Sequence, residues 1–439
     1  MNIYQVLPRL YGNTKGQNIK AGSIAENGCG KMNDFTADEL KRIKDYGFTH
    51  IWYTGLIEHA TQTDYTQYKI ALDNAIVVKG KAGSPYAIKD YYDIDPDLAV
   101  DVKQRMKEFE ALVARTHEAG LKMVIDFVPN HVARQYKSDA KPPRVKDLGE
   151  TDDKAKAFDQ QNNFYYILGE QLHVEFAATD NLTYEELPAR ATGNDCFHAW
   201  PNRNDWYETV KLNYGVDYCA GGTKNFAPTP NTWKKMTAIL LFWAKKGVDA
   251  FRCDMAEMVP VEFWKYAIKE VKKKFPHVQF IAEVYNPAEY RNYIKIGGFD
   301  FLYDKVGLYD TLRAIVCHQQ PAAAITGAWQ SVDDIYNHML NFLENHDEQR
   351  FASEFFGKDG RNTYAPLFVS LYLNTAPFMI YFGEEVGEAG MDEEGFSGRD
   401  GRTTIFDWWS IASIRRLRKV IASGDYKSLS VSALVKAGM

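Results

Sequence analysis

The sequence is poor in the features that would mark several large functional classes. It has five cysteines, Cys29, Cys196, Cys219, Cys253 and Cys317, and no CxxC pair. A scattered, odd set argues against a disulfide framework and against a thiolate zinc site. No stretch approaches the roughly 18 apolar residues of a membrane span. A glycine-rich phosphate loop is missing too, which removes the usual nucleotide-binding classes. The formal net charge of −6 offers no basic surface for nucleic acid and no polybasic anchor for anionic lipid. The lysine run Lys272-Lys273-Lys274 falls at the end of an amphipathic stretch, where cations suit the helix dipole. The N-terminus enters the apolar run Ile3–Leu7 at once, without a charged region and cleavage site, so the chain reads as cytoplasmic.

What is present fits one large domain carrying a sizeable insertion. The chain has 439 residues, 45% of them apolar and 25% charged. Aromatics reach 14%, with 27 tyrosines. Ring faces pack against the apolar faces of pyranoses, so the excess suits a carbohydrate cleft, although most of these rings serve the core.

Short β-branched or aromatic runs alternate with longer amphipathic stretches, the pattern of a parallel sheet with crossover helices. Eight runs read as strands: Ile3–Leu7, His50–Leu56, Lys122–Val128, Val248–Asp254, Gln279–Val284, Phe299–Tyr303, Leu340–Asn345 and Phe378–Phe382. Helical periodicity marks Ala37–Tyr46, Met106–Ala119, Trp233–Lys246, Val261–Phe275 and Tyr364–Leu373. Gly47, Gly120 and Gly247 stand where a helix should stop before the next strand. Eight such units predict a (β/α)₈ TIM barrel. Two connections are too long for the barrel itself, and the longer one, after strand three, predicts a small inserted domain. The expected division is 1–131 and 229–423 for the barrel, 132–228 for the insert and 424–439 for a short tail.

Barrel chemistry sits at the C-terminal ends of strands. Strand three runs out as Asp126-Phe127-Val128-Pro129-Asn130-His131, and strand four carries Arg252 and Asp254 on one face. Strand five ends on Glu283, and strand seven leads into Glu344-Asn345-His346-Asp347. A lone aspartate at a strand end is usually a cap or an ion-pair partner. Several carboxylates in register on one rim need another account, because each is costly to desolvate. Glycosidic cleavage requires a carboxylic acid for the leaving oxygen and a carboxylate beneath the anomeric carbon. Adjacent strands allow Asp254 and Glu283 the roughly 5–5.5 Å separation of retaining enzymes. On this reading Arg252 keeps Asp254 ionised as nucleophile, while burial beside that charge raises Glu283 into the range of an acid.

These runs resemble the α-amylase family of glycoside hydrolases, family 13. The motifs appear in order as Asp126–His131, Gly247–Asp254, Glu283 within Ile281–Val284, and Phe342–Asp347. Val210-Lys211-Leu212-Asn213 is similar to a looser motif of the family's inserted domain, and Ser84-Pro85-Tyr86 with Asp90–Pro96 resembles the loop after strand two. The resemblance implies Asp254 as nucleophile, Glu283 as acid/base and Asp347 as stabiliser of the distorted sugar. Arg252, His131 and His346 would line the same subsite, with Tyr86 stacked on the ring and Asp126 as a structural acid. Asn130 and Asn213 would be ligands of a structural calcium. The implied activity is retaining hydrolysis of α-1,4-glucosidic bonds in starch-like glucans or maltooligosaccharides. A glucanotransferase or another family specificity would use the same residues, and a non-catalytic glucan-binding subunit is the reading from another class.

Two departures from the family pattern stand out. Glu257 occupies a position where many starch-acting members carry lysine. About 30 residues follow the last barrel loop, so the family's terminal β-sandwich of roughly 80–100 residues is not expected in this sequence. The stretch Trp408–Ile421 reads instead as a closing helix, and the C-terminal end is expected to leave apolar surface available for self-association.

Overall fold

The computed structural model describes residues 1–177, 182–390 and 398–424. Part of the acid-rich loop at 387–401 and nearly all of the expected tail, 424–439, therefore lie outside the described residues.

Eight parallel strands form one sheet: β1 Asn2–Val6, β2 His50–Tyr53, β3 Lys122–Phe127, β4 Ala250–Cys253, β5 Gln279–Ala282, β6 Phe301–Tyr303, β7 Met339–Leu340 and β8 Phe378–Tyr381. Each strand lies beside its neighbour in sequence, and β1 also pairs with β8. A parallel bridge between Asn341 and Phe378 joins β7 to β8, so the sheet closes into the predicted (β/α)₈ barrel. Seven of the helices are α1 Ala37–Asp45, α2 Arg105–Glu118, α3 Asn231–Lys245, α4 Val261–Lys274, α5 Asp310–Val316, α6 Tyr364–Tyr372 and α7 Ala412–Ser423. Local chemistry sets their limits. Thr36 caps α1 by accepting the Glu39 N–H at 3.3 Å, and Gly120 and Gly247 follow α2 and α3 at φ of +74° and +97°.

Period-2 alternation sorts the strand residues into two cores. Ile3, Trp52, Val124, Ala250, Ile281, Tyr303, Leu340 and Met379 contribute one side chain per strand to a buried cluster. Their neighbours, among them Tyr4, Ile51, Met123, Phe251, Phe280 and Leu302, belong to the larger core that includes helix residues such as Leu112, Trp243 and Trp264. Two positions beyond the first set, towards the C-terminal ends, stand Gln5, Asp126, Arg252 and Glu283, all buried. The barrel interior thus changes from apolar to polar within one step along the strands.

The two long connections are built from short antiparallel pairs. Ile57–His59 pairs with Ile88–Ile94 after β2. After β3, His131–Ala133 pairs with Thr209–Lys211, and Tyr166–Ile167 with Ala189–Arg190. Ile76 and Val77 from the first connection share a small core with Leu172, Val174, Ala189 and Tyr207 from the second. The two connections therefore pack as one lobe over the rim.

On α7 the apolar residues Ile414 and Leu417 are buried. The exposed aromatic stripe lies on α6 instead, where Tyr364, Phe368 and Tyr372 succeed one another at helical spacing. Among the described residues no helix is long and apolar enough to cross a membrane.

Candidate active site

Arg252 sits at the centre of the rim with no exposed surface. Its Nη1 donates to Asp254 Oδ1 and its Nη2 to Glu283 Oε2, both at 2.7 Å. Its Nε donates to the Tyr303 hydroxyl at 3.1 Å. Asp126 lies 3.6 Å from Nη1 and Asp347 3.9 Å from Nη2. The rings of Trp52, Tyr86 and Tyr303 stand 5.3–5.5 Å from the guanidinium carbon. Planarity lets one arginine face two carboxylates at once, and aromatic faces compensate for lost water.

Arg252 pairs with Asp254, as expected from the sequence, and with Glu283 as well. The cation is divided between Asp254 and Glu283, and burial pushes the Asp254 carboxyl well up, opposed by Arg252 and reinforced by Glu283 and Asp347. Each acid stands one residue past its strand, because β4 ends at Cys253 and β5 at Ala282. Their backbone N–H groups still extend the ladder, Asp254 to Phe127 O at 2.9 Å and Glu283 to Cys253 O at 3.1 Å. The chain then breaks sharply. Met255 takes a left-handed conformation, φ +42°, and its N–H donates to Glu283 Oε2 at 2.8 Å. Tyr285 donates to the other oxygen, Glu283 Oε1. Asp254 commits only Oδ1 to the arginine.

The fourth motif reaches the rim differently from the sequence expectation. Strand β7 is only Met339–Leu340, and Glu344–Asp347 lie in the loop beyond it. Glu344 turns away to pair with Arg350 at 2.9 Å and to accept the Phe351 N–H, anchoring that loop. His346 and Asp347 turn inward. His346 Nε2 lies 2.9 Å from Asp347 Oδ2, its ring stacks on Tyr86 at 5.1 Å, and Nδ1 pairs with the Gln5 amide at 2.8 Å. Burial works against ionisation of Asp347, but His346 and Arg252 outweigh it and hold the carboxyl at about 2. Asp126 accepts from Trp52 Nε1, the Gly55 N–H and the Tyr86 hydroxyl, which fixes the Tyr86 ring at the edge of the site. Beside Asp347 and His346 opens a cleft of about 540 Å³, also lined by Lys79, Asn204, Arg402 and Phe406. That volume suits a small ligand or one sugar subsite.

His131 is buried beside Trp206, and burial, aided by Lys211 and Lys79, lowers its pKa to about 3, so the ring is neutral. Asn130 and Asn213 do not fit a cation. The Asn130 amide oxygen accepts from Lys211 Nζ at 2.8 Å, and that buried ammonium lies 2.5 Å from Asp195 Oδ1. Asn213 is engaged locally, its oxygen accepting the Gly215 N–H and its amide donating to Asp159 O. A lysine side chain occupies the place expected of the metal.

The structure brings Asp254, Glu283, Asp347, Arg252, His346, Tyr86 and Asp126 together at one place. Sequence reasoning missed Gln5, Trp52, Tyr285, Tyr303 and Lys211. Gln5 was findable, as the one amide within the run Ile3–Leu7. Tyr285 follows Glu283 by two, but nothing in the sequence says that the chain curls back there.

The description "Alpha amylase, catalytic domain" matches residues 5–416. Alpha-amylase 3 of Dictyoglomus thermophilum is 26% identical over 323 residues, covering 70% of this chain and 54% of that protein. Neopullulanase 2 of Thermoactinomyces vulgaris is 21% identical over 402 residues, covering 88% of this chain and 56% of that protein. The chain therefore spans about half the length of these relatives. The solved structure of a Nostoc punctiforme debranching enzyme aligns with a TM-score of 0.60 at 18% identity, over 98% of this chain and 82% of that one, a likeness of fold. With four motifs on one rim and a profile match across nearly the whole chain, the protein belongs to the α-amylase family of glycoside hydrolases.

Proposed function

We propose that this chain hydrolyses α-1,4-glucosidic bonds in starch-like glucans or maltooligosaccharides by double displacement, with retention at the anomeric carbon. One observation carries the reading: a single buried guanidinium bonded at 2.7 Å to both Asp254 and Glu283. Two carboxylates on neighbouring nitrogens of one fork are close enough to share a glycosidic bond, as retaining enzymes need.

Asp254, with one oxygen uncommitted, attacks the anomeric carbon and forms the glycosyl-enzyme. Glu283 protonates the leaving oxygen, then takes a proton from the incoming water. Positive charge developing on the sugar favours the ionised form of Asp254, and Arg252 stabilises the negative charge that returns to it when the intermediate breaks down. Asp347, held ionised by His346 and Arg252, accepts hydroxyl hydrogen bonds from the distorted ring. Tyr86 offers its face to the same sugar, and neutral His131 donates or accepts at its hydroxyls, with His346 beside it. No step is routed through a metal at Asn130 or Asn213.

Following the first products by NMR on maltooligosaccharides, starch, pullulan and cyclodextrins tests this. The α-anomer should appear first on an α-1,4 substrate. Early β-anomer would overturn double displacement, and products longer than the substrate would move the assignment to a transferase.

A further inference from the structure

A second group of acids lies outside the catalytic cluster. Glu58 stands on the strand Ile57–His59, directly opposite Asp90 on the strand Ile88–Ile94, with the ladder irregular on either side. Asp93 follows on the same strand, and Asp139 arrives from the connection after β3. One oxygen from each of the four lies within 4.8 Å of the others.

Like charges directly across a ladder are destabilising. Three of the acids have partners. Asp90 accepts the N–H groups of Tyr92, Asp139 and Ala140. Asp93 accepts the Ile94 N–H and pairs with Arg105, which also lies 3.7 Å from Asp139. Lys89, the nearest lysine in sequence, turns away to Asp73 at 2.9 Å. Glu58 differs from the rest. It is 1% exposed, points into the group, and among the described residues neither carboxylate oxygen has a hydrogen-bond partner. An unpartnered buried carboxylate is among the costliest arrangements in a protein interior, and it calls for a ligand.

We propose that Glu58, Asp90, Asp93 and Asp139 bind one hard divalent cation of calcium's size. The donors are all carboxylate oxygens, which select hard cations over zinc or copper. One oxygen from each acid lies within 4.8 Å of the others, so a single ion can be reached by all four, and calcium accepts such irregular oxygen shells more readily than magnesium. Arg105 neutralises one of the four charges from one side and leaves room for two more positive charges. Asp139 is partly exposed and provides the way in. This site is separate from Asn130, where Lys211 stands.

Its structural consequence is a clamp. The ion ties the strand Ile88–Ile94 to the connection carrying Asp139. Tyr86, which contacts Asp126 and His346 in the catalytic cluster, lies two residues before that strand. The cation therefore fixes the wall on which the Tyr86 ring is mounted.

The test uses the full chain after chelator treatment and dialysis, titrated with calcium chloride in a calorimeter, with elemental analysis of the reloaded protein. One calcium per chain is expected, with a rise in melting temperature that the chelator reverses. Glu58→Gln and, separately, Asp139→Asn should each weaken binding at least tenfold, while Asn130→Ala should leave it intact. Asp139→Asn, at the partly exposed ligand, remains decisive if Glu58→Gln fails to fold. No binding at millimolar calcium would overturn the proposal. So would binding that survives both acid substitutions, or binding lost in Asn130→Ala. These readouts are independent of the activity assay, so a failure here leaves the catalytic reading standing, and the reverse.

Discussion

The two acid clusters differ in where their positive charge comes from. At the barrel rim, Arg252 is covalently part of the site and touches the carboxylates from the middle, with three aromatic rings around it. In the outer cluster Arg105 stands at one side, and among the described residues neither carboxylate oxygen of Glu58 has a hydrogen-bond partner. The first arrangement is complete as folded and ready for substrate. The second carries an excess of acids over cations, which the proposed ion would offset. Burial of acids alone therefore does not distinguish catalysis from ion binding; the placement of the compensating cation does.

The sharpest way to break the contrast is at Asp254. Asp254→Asn should lower kcat/KM by roughly 10⁴-fold or more with the circular dichroism spectrum unchanged. A loss of less than tenfold would remove Asp254 from the reaction. Next comes Glu283→Gln, expected to cost about 10²–10⁴-fold on maltooligosaccharides and far less on α-glucosyl fluoride, whose leaving group needs little protonation. Equal losses on the two substrates would assign the acid elsewhere.

The cations themselves can then be compared. Arg252→Met leaves buried carboxylates uncompensated and should cost about 3–5 kcal/mol in urea unfolding. Arg105→Gln should cost less and recover with calcium, because an ion can take over its part. Calcium rescue of Arg252→Met, or none for Arg105→Gln, would erase the difference between the clusters.

The smallest effect is one of pH. His131 has a folded pKa of about 3. Its unfolded value is about 6.5, so the unfolded state takes up the proton first. Stability is accordingly lost as pH falls from about 6.5 towards 3. His131→Gln should flatten that acid limb, read as a smaller drop in the urea midpoint between pH 7 and pH 5. An unchanged drop would place the ring in contact with water.

Most of the barrel was legible because its two signals are local. Apolar runs of strand length alternate with helical periodicity, and chemically costly residues stand where strands run out. Asp254 and Glu283 were readable for that reason. What stayed hidden depends on contacts distant in sequence. Glu58 sits in Ile-Glu-His, an alternation that reads as one solvent-facing residue between two inward ones. It is buried in the fold beside Asp90 and Asp139, which come from distant parts of the chain. Lys211 reads as an ordinary polar residue within Val-Lys-Leu-Asn. Its role emerges when the pairing of His131–Ala133 with Thr209–Lys211 carries its ammonium to the Asn130 oxygen. Strand seven was overestimated, since Phe342 and Leu343 are apolar enough to prolong a strand yet pack under a loop.

Lys211 also changes what the joint between rim and lobe responds to. An ion held there would stabilise in proportion to the logarithm of its concentration over its dissociation constant, and dilution or a competing chelator would weaken the joint. A tethered ammonium has no dissociation constant. Its presence is set at translation, identical in every molecule and independent of the metal content of the medium. That joint should hold in a calcium-free buffer as firmly as in a calcium-rich one, so any calcium dependence of this protein has to originate at another place in the molecule.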